Sequence, residues 1–181
     1  MTAVPVLETE RLILRGWHDE DFNAYAEIFC DPETTRFISK LPTRQDAWRN
    51  LAMVIGHWSL RGYGPWAVER RSDGALIGRI GYWKPADWPA LELIWAIGKN
   101  YWRNGYASEA ARAALDHGFE RQHFPLITSH IDPENIPSQG VAKRLGQAPG
   151  STVKIPIGDV IYHAVAWEIS RSDWQKNQAA G

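Results

Sequence analysis

The sequence predicts a mixed α/β fold in which a mostly antiparallel sheet carries one parallel strand–helix–strand unit. Three observations predict it. Residues 64–70 and 75–83 flank Ser72-Asp73-Gly74, a turn composition that joins two strands as a β-hairpin. Residues 91–98 (LELIWAIG) are almost wholly apolar, as suits a strand buried on both faces. Behind them come an alanine-rich helical stretch and a second apolar strand, Leu126–Ile131. Such a crossover runs parallel and right-handed.

The remaining elements follow in order. Residues 8–17 (ETERLILRGW) read as a first strand. Asp19 opens a helix whose Phe22, Tyr25, Ala26 and Phe29 recur at i, i+3, i+4 and i+7. Asp31-Pro32 ends it, because the residue before a proline is pushed out of the helical region. Thr43 with Asp46 resembles a capping box, and Ala47, Trp48, Leu51, Ala52, Ile55 and Trp58 continue a second helix to about Arg61. Ala107, Ala110, Ala111, Ala114, Leu115 and Gly118 form one stripe of a third helix. Ser138 to Leu145 is a short fourth helix stopped by Gly146, and one or two strands close the chain, the last at about 159–169.

With 181 residues, of which 44% are hydrophobic and 23% charged, the chain is expected to form one domain over 1–181, its core at about 7–174. The net charge of −1 offers no general attraction to nucleic acid or an anionic membrane. The lone Cys30 excludes an internal disulfide, and no Cys/His spacing suggests a metal site. Charges from Glu8 onward leave no apolar leader, and no run is long enough to span a bilayer, so a cytoplasmic protein is expected. Ten tryptophans are spread along the chain, and packing accounts for most of them.

The richest segment is 91–112, where a buried strand meets a short loop and Gly105 leads into the alanine-rich helix. A helix N-terminus presents N–H groups and the positive end of its dipole, and so attracts phosphate. Gly105 permits close backbone approach, and Arg103 adds a cation. A plain strand-to-helix turn explains the same spacing equally well. Neither the dinucleotide glycine fingerprint nor the Walker lysine pattern is present.

The segment Trp102-Arg103-Asn104-Gly105-Tyr106-Ala107-Ser108-Glu109-Ala110 resembles the acyl-CoA pyrophosphate loop of the GNAT acetyltransferases, in particular the RimJ/RimL branch that acetylates ribosomal-protein N-termini. Four other segments agree in order. LETERLILR at 7–15 resembles the opening strand, Gly78-Arg79-Ile80-Gly81 the hairpin strand, Asn135-Ile136-Pro137-Ser138 through Leu145-Gly146 the N-x-x-S…L-G helix, and Trp174 the closing aromatic. Trp102 stands where the wider superfamily has Gln or Arg, Gln147 replaces the aromatic after L-G, and Pro137 enters the N-x-x-S motif.

The resemblance implies a GNAT-type sheet of about seven strands and about four helices, with a central splayed parallel pair. It implies acetyl-CoA as acyl donor. Backbone groups of Trp95, Ala96 and Ile97 would pair with the pantetheine arm, and N–H groups of Arg103, Asn104, Gly105, Tyr106, Ala107 and Ser108 would hold the diphosphate. Asn135 would bond the pantetheine, and Ser138 would stand by the thioester sulfur. The relatives' habit suggests a homodimer.

Acetyl transfer needs a neutral amine, a stabilised oxyanion and a departing thiolate. At pH 7 a lysine amine is only about 0.04% neutral and an α-amine about 14%, so a modest base suffices for the latter. Glu92 is the base candidate, a carboxylate sharing a strand face with Ile94 and Ala96; a charge at the sheet rim is the alternative. Ser138 is the candidate acid, or simply a first-turn serine. Trp48, Trp58, Trp83 and Trp88 are candidates for an aromatic pocket that takes an amine. The leading expectation is an N-acetyltransferase acting on peptide α-amines. A small-molecule amine acetyltransferase and a non-catalytic acyl-CoA-binding module are the alternatives.

Overall fold

The computed structural model describes residues 3–38, 40–157 and 160–179, and they form two compact units. The first holds the chain up to Trp83 together with Ile94–Ala114; the second holds Lys84–Leu93 and the chain from Leu115 onward.

In the first unit, strands β1 (Leu7–Glu8), β2 (Leu12–Arg15), β3 (Pro65–Arg70) and β4 (Ala75–Trp83) pair antiparallel in sequence order, and the greater part of β5 (Glu92–Ile97) follows β4. Helices α1 (Phe22–Phe29) and α2 (Arg44–Arg61) and the opening of α3 (Tyr106–Glu120) complete it. The anticipated first strand breaks in two because the Thr9 hydroxyl accepts the Leu12 N–H at 3.0 Å and closes a turn. Tyr25, Phe29, Ala47, Leu51, Ala67 and Leu76 form a core of α1, α2 and the sheet. Thr43 caps α2 as predicted, its side chain accepting the Asp46 N–H.

In the second unit, the start of β5 pairs parallel with β6 (Leu126–Ile131), Glu92 opposite Thr128. β6 then pairs antiparallel with β8 (Val160–Ser170), and β8 with β7 (Ala148–Ile157). Helix α4 (Ile136–Leu145) precedes this hairpin and α5 (Arg171–Ala179) follows it. A mixed, mostly antiparallel α/β fold with one parallel pair is therefore the observed class, with eight strands and five α-helices described. Pro149, Gly150 and Pro156 interrupt the alternation that would have marked β7 as a strand. The middle of β5 is only half-buried at Ile94, Trp95 and Ala96, so its apolar run does not mean burial on both faces.

Gly78 on β4 is a point of close approach. A Cβ there would lie 2.2 Å from the Ala96 carbonyl oxygen of β5. Gly78→Ala is expected to destabilise the protein by about 3 kcal/mol, read as a fall in the urea midpoint at unchanged slope.

Candidate active site

The loop between β5 and α3 lies in the first unit. Lys99–Tyr101 form one 3-10 turn, Trp102 is extended, and both Arg103 (φ 62°) and Gly105 (φ 81°) are left-handed. The Asn104 amide donates to the carbonyls of Tyr101 (3.1 Å) and Trp102 (3.0 Å), so its side chain braces the loop from within. The Trp102 indole donates to the Ile97 carbonyl at 2.6 Å, engaging one lone pair of a group assigned by resemblance to pantetheine. Gly105 supplies the carbonyl that accepts the Glu109 N–H, which leaves the first-turn N–H of Tyr106 and Ala107 without carbonyls of their own helix. A Cβ on Gly105 would meet only Arg11 Nη2, at 3.4 Å. A backbone turn with one open side and a guanidinium beside it suits a diphosphate.

Sequence reasoning missed Arg11. Its guanidinium lies 4.8 Å from the centre of the Tyr106 ring, and it is fixed there by Glu109. Glu109 accepts from Thr9 Oγ1 (2.6 Å), Arg11 N (2.9 Å), Arg11 Nε (2.7 Å) and Arg11 Nη2 (2.6 Å). Nothing in the spacing signals this, since almost a hundred residues separate the partners. Burial raises the Glu109 carboxyl's pKa, but the bonds from Thr9 and Arg11 outweigh it and hold the group below its ordinary value. A depressed folded pKa contributes stability above the unfolded value, about 4.3, and that stability is lost as pH falls through the folded value. Glu109→Gln is therefore expected to lower stability by about 1–2 kcal/mol at pH 7. The gap between variant and parent should narrow below about pH 4. Urea unfolding at the two pH values checks this.

The second unit holds Glu92. It is not a rim charge: it is 7% exposed. The Trp88 indole donates to Oε2 at 2.8 Å, the His130 backbone N–H donates to Oε1 at 3.1 Å, and His130 Nδ1 lies 3.2 Å from Oε2 without hydrogen-bond alignment. His130, which nothing in the sequence singled out, thus meets the base candidate through backbone and ring. Next to it, Ser129 Oγ donates to the Leu93 carbonyl at 2.8 Å and accepts from the buried Gln147 amide at 3.1 Å. Asn135 is the N-cap of α4, its Oδ1 accepting the Ser138 N–H at 3.2 Å. Pro137 sits in the first turn, where no intrahelical N–H is required, so its entry into the motif is harmless. Ser138 is half-buried.

The tryptophans serve mostly as packing. Trp58 is 8% exposed, packs edge-on against Trp66 with ring centres 5.0 Å apart, and donates to the Pro65 carbonyl; it belongs to the core rather than to an aromatic pocket. Trp83 stacks on His57 at 4.8 Å, while Trp48 is exposed.

A mixed sheet with a parallel pair and a glycine-bearing loop leading into a helix agrees with the architecture of the GNAT-type acetyltransferases. The chain belongs to the acetyltransferase (GNAT) domain family, whose model matches residues 11–147. It is 30% identical over 171 residues to the uncharacterized N-acetyltransferase YnaD of Bacillus subtilis (strain 168), covering 93% of this chain and 98% of that protein. The acetyltransferase from Agrobacterium tumefaciens str. C58 superimposes with a TM-score of 0.79 at 29% identity, over 93% of this chain and 96% of that one. A ribosomal-protein-S5-alanine acetyltransferase from Vibrio fischeri shares the fold, with a TM-score of 0.75 at 18% identity, over 94% of this chain and 99% of that one. The protein is an acetyl-CoA-dependent N-acetyltransferase. Among the described residues, no helix is long and apolar enough to cross a membrane, and no group of three His, Cys, Asp or Glu side chains could hold a metal.

Proposed function

We propose that the enzyme passes an acetyl group from acetyl-CoA directly to a primary amine, and that this amine is a peptide or protein N-terminal α-amine. The observation that carries the reading is the carboxylate of Glu92, withdrawn from water and held by Trp88 and His130. A fixed, buried carboxylate suits the removal of one proton from an α-amine already partly neutral at pH 7. The five segments that resemble the RimJ/RimL branch support the choice of α-amine. In this reading acetyl-CoA supplies the activated acetyl group. The N–H groups of Arg103 to Ser108, with Arg11, hold its diphosphate; Trp95, Ala96, Ile97 and Asn135 take the pantetheine; and the Ser138 hydroxyl protonates the departing thiolate. The protein acts in the cytoplasm, as a homodimer.

The test is calorimetric titration with acetyl-CoA and with CoA, followed by thiol release against peptides with free N-termini and against small amines. Micromolar binding with release driven by peptides is the expected result. Release driven only by small amines would replace the acceptor with a small molecule, and binding with no release by any amine tested would overturn both acceptor readings.

A further inference from the structure

Arg79 stands in the middle of β4, and no carboxylate among the described residues forms an ion pair with it. Its Nη1 donates to two neutral oxygens, the Tyr25 hydroxyl and Asn50 Oδ1, each at 2.5 Å. The guanidinium lies 4.6 Å from the centre of the Phe29 ring, and its Nε is buried with no hydrogen-bond partner. The ring face and the two neutral oxygens offset part of the solvation this half-exposed cation gives up, and an anion nearby would stabilise it further.

Asn50 connects this cation to an opening. Because Arg79 and Tyr25 both donate to it, the amide atom that faces them is the oxygen, and Nδ2 points the other way. Asn50 also lines a shallow, open depression of about 370 Å³ with Lys40, Asp46, Arg49, Leu41 and Met53. Within that lining Asp46 is already taken, accepting from Thr43 Oγ1 at 2.6 Å and pairing with Arg49 at 3.3 Å. Lys40 has no ion pair among the described residues. The depression therefore carries one balanced pair and two cations with no carboxylate partner among the described residues, the exposed Lys40 on its wall and Arg79 behind Asn50, with an aliphatic side formed by Leu41 and Met53.

We propose that this depression is a carboxylate-binding subsite. The ligand's carboxylate accepts from Asn50 Nδ2 and Lys40 Nζ, its charge compensates Arg79 through the shared amide, and its hydrocarbon part lies on Leu41 and Met53. The carboxylate belongs either to a free α-amino acid or to an acidic side chain of a peptide. That the ligand is also the acetyl acceptor rests on the acetyltransferase reading; that it binds does not.

The test uses the full-length ¹⁵N-labelled chain. Leucine is titrated against leucinamide, and the C-terminally amidated peptide Ala-Glu-Ala against Ala-Gln-Ala, with inorganic phosphate as the anion control. The side-chain amide of Asn50 and the Nε–H of Arg79 are followed. In at least one of the two pairs, the carboxylate member should bind about tenfold more tightly and shift both resonances. The pair that responds identifies the source. Arg79→Gln removes the cation at some risk to folding, so Asn50→Asp is the decisive variant. It places a carboxylate on Arg79 in an isosteric side chain, and should keep the thermal midpoint while abolishing the tenfold preference. The proposal is overturned if neither pair discriminates, if phosphate binds as tightly as the better carboxylate, or if the preference survives in Asn50→Asp. Acetyl-CoA binding is measured on the same sample. Its absence alongside an intact preference would remove the proposed acyl-CoA contacts and leave the subsite standing.

Discussion

Replacing Glu92 with Gln slows acetyl transfer about 100-fold and leaves the acetyl-CoA dissociation constant within about twofold, if the carboxylate is the base. The substitution keeps the volume, and its carbonyl oxygen still accepts one of the two donors, the Trp88 indole or the His130 N–H. The amide nitrogen then faces the other donor, so a loss of about 1–2 kcal/mol in stability accompanies the change. Stopped-flow thiol release with a peptide acceptor gives the rate, and calorimetry gives the affinity. The pH profile is the more pointed readout. An enzyme that has lost its base depends on the fraction of amine already neutral, so the variant's residual rate should climb steadily toward the amine's own pKa. Full turnover in Glu92→Gln would remove this residue from the chemistry without touching the family assignment.

Gly105→Val should be more severe for binding, weakening acetyl-CoA by about 100-fold or more. Two effects combine. At φ 81° a β-branched residue is strained, by about 1–3 kcal/mol. Its branched side chain also covers the open side of the loop, where a Cβ alone would lie 3.4 Å from Arg11 Nη2. The strain lowers the melting temperature by several degrees, while the blocked approach appears only in titration with acetyl-CoA. Normal affinity in a folded Gly105→Val variant would place the diphosphate elsewhere.

Local chemistry was the legible part of this molecule. The hairpin turn at Ser72-Asp73-Gly74, the Thr43 cap, the apolar run of β5 and the alanine stripe of α3 each carry their signal within a few residues, and each lies where that signal put it. Glu92 was legible as a carboxylate out of place in an apolar strand, and its burial follows from that. Contacts made across the sequence were not legible. The pairing of His130 with Glu92, of Arg11 with Glu109 and of Arg79 with Asn50 depends on strands and helices meeting, and no spacing rule encodes it. β7 was obscured for a different reason. Its two prolines and one glycine suit a strand paired with β8 alone, but they break the alternation that identifies a strand. Trp58 misled through its chemistry, since an indole that buries its rings and donates its single N–H to a backbone carbonyl has the same composition as one lining a pocket.

The four bonds to Glu109 have a consequence for how this chain can be cut and extended. The start of α3 is held by residues 9–11 at the other end of the sequence, through a backbone N–H, a hydroxyl and a guanidinium. The segment before β2 is thus a remote strut of the loop ahead of α3, although it contributes only a two-residue strand of its own. A truncation that removes Thr9 to Arg11 would take away both the anchor of that helix and the cation beside its first turn, while every residue of the loop itself remained in place. Any trimmed or fused version of the enzyme should therefore be judged at that loop, far along the chain from the site of the cut.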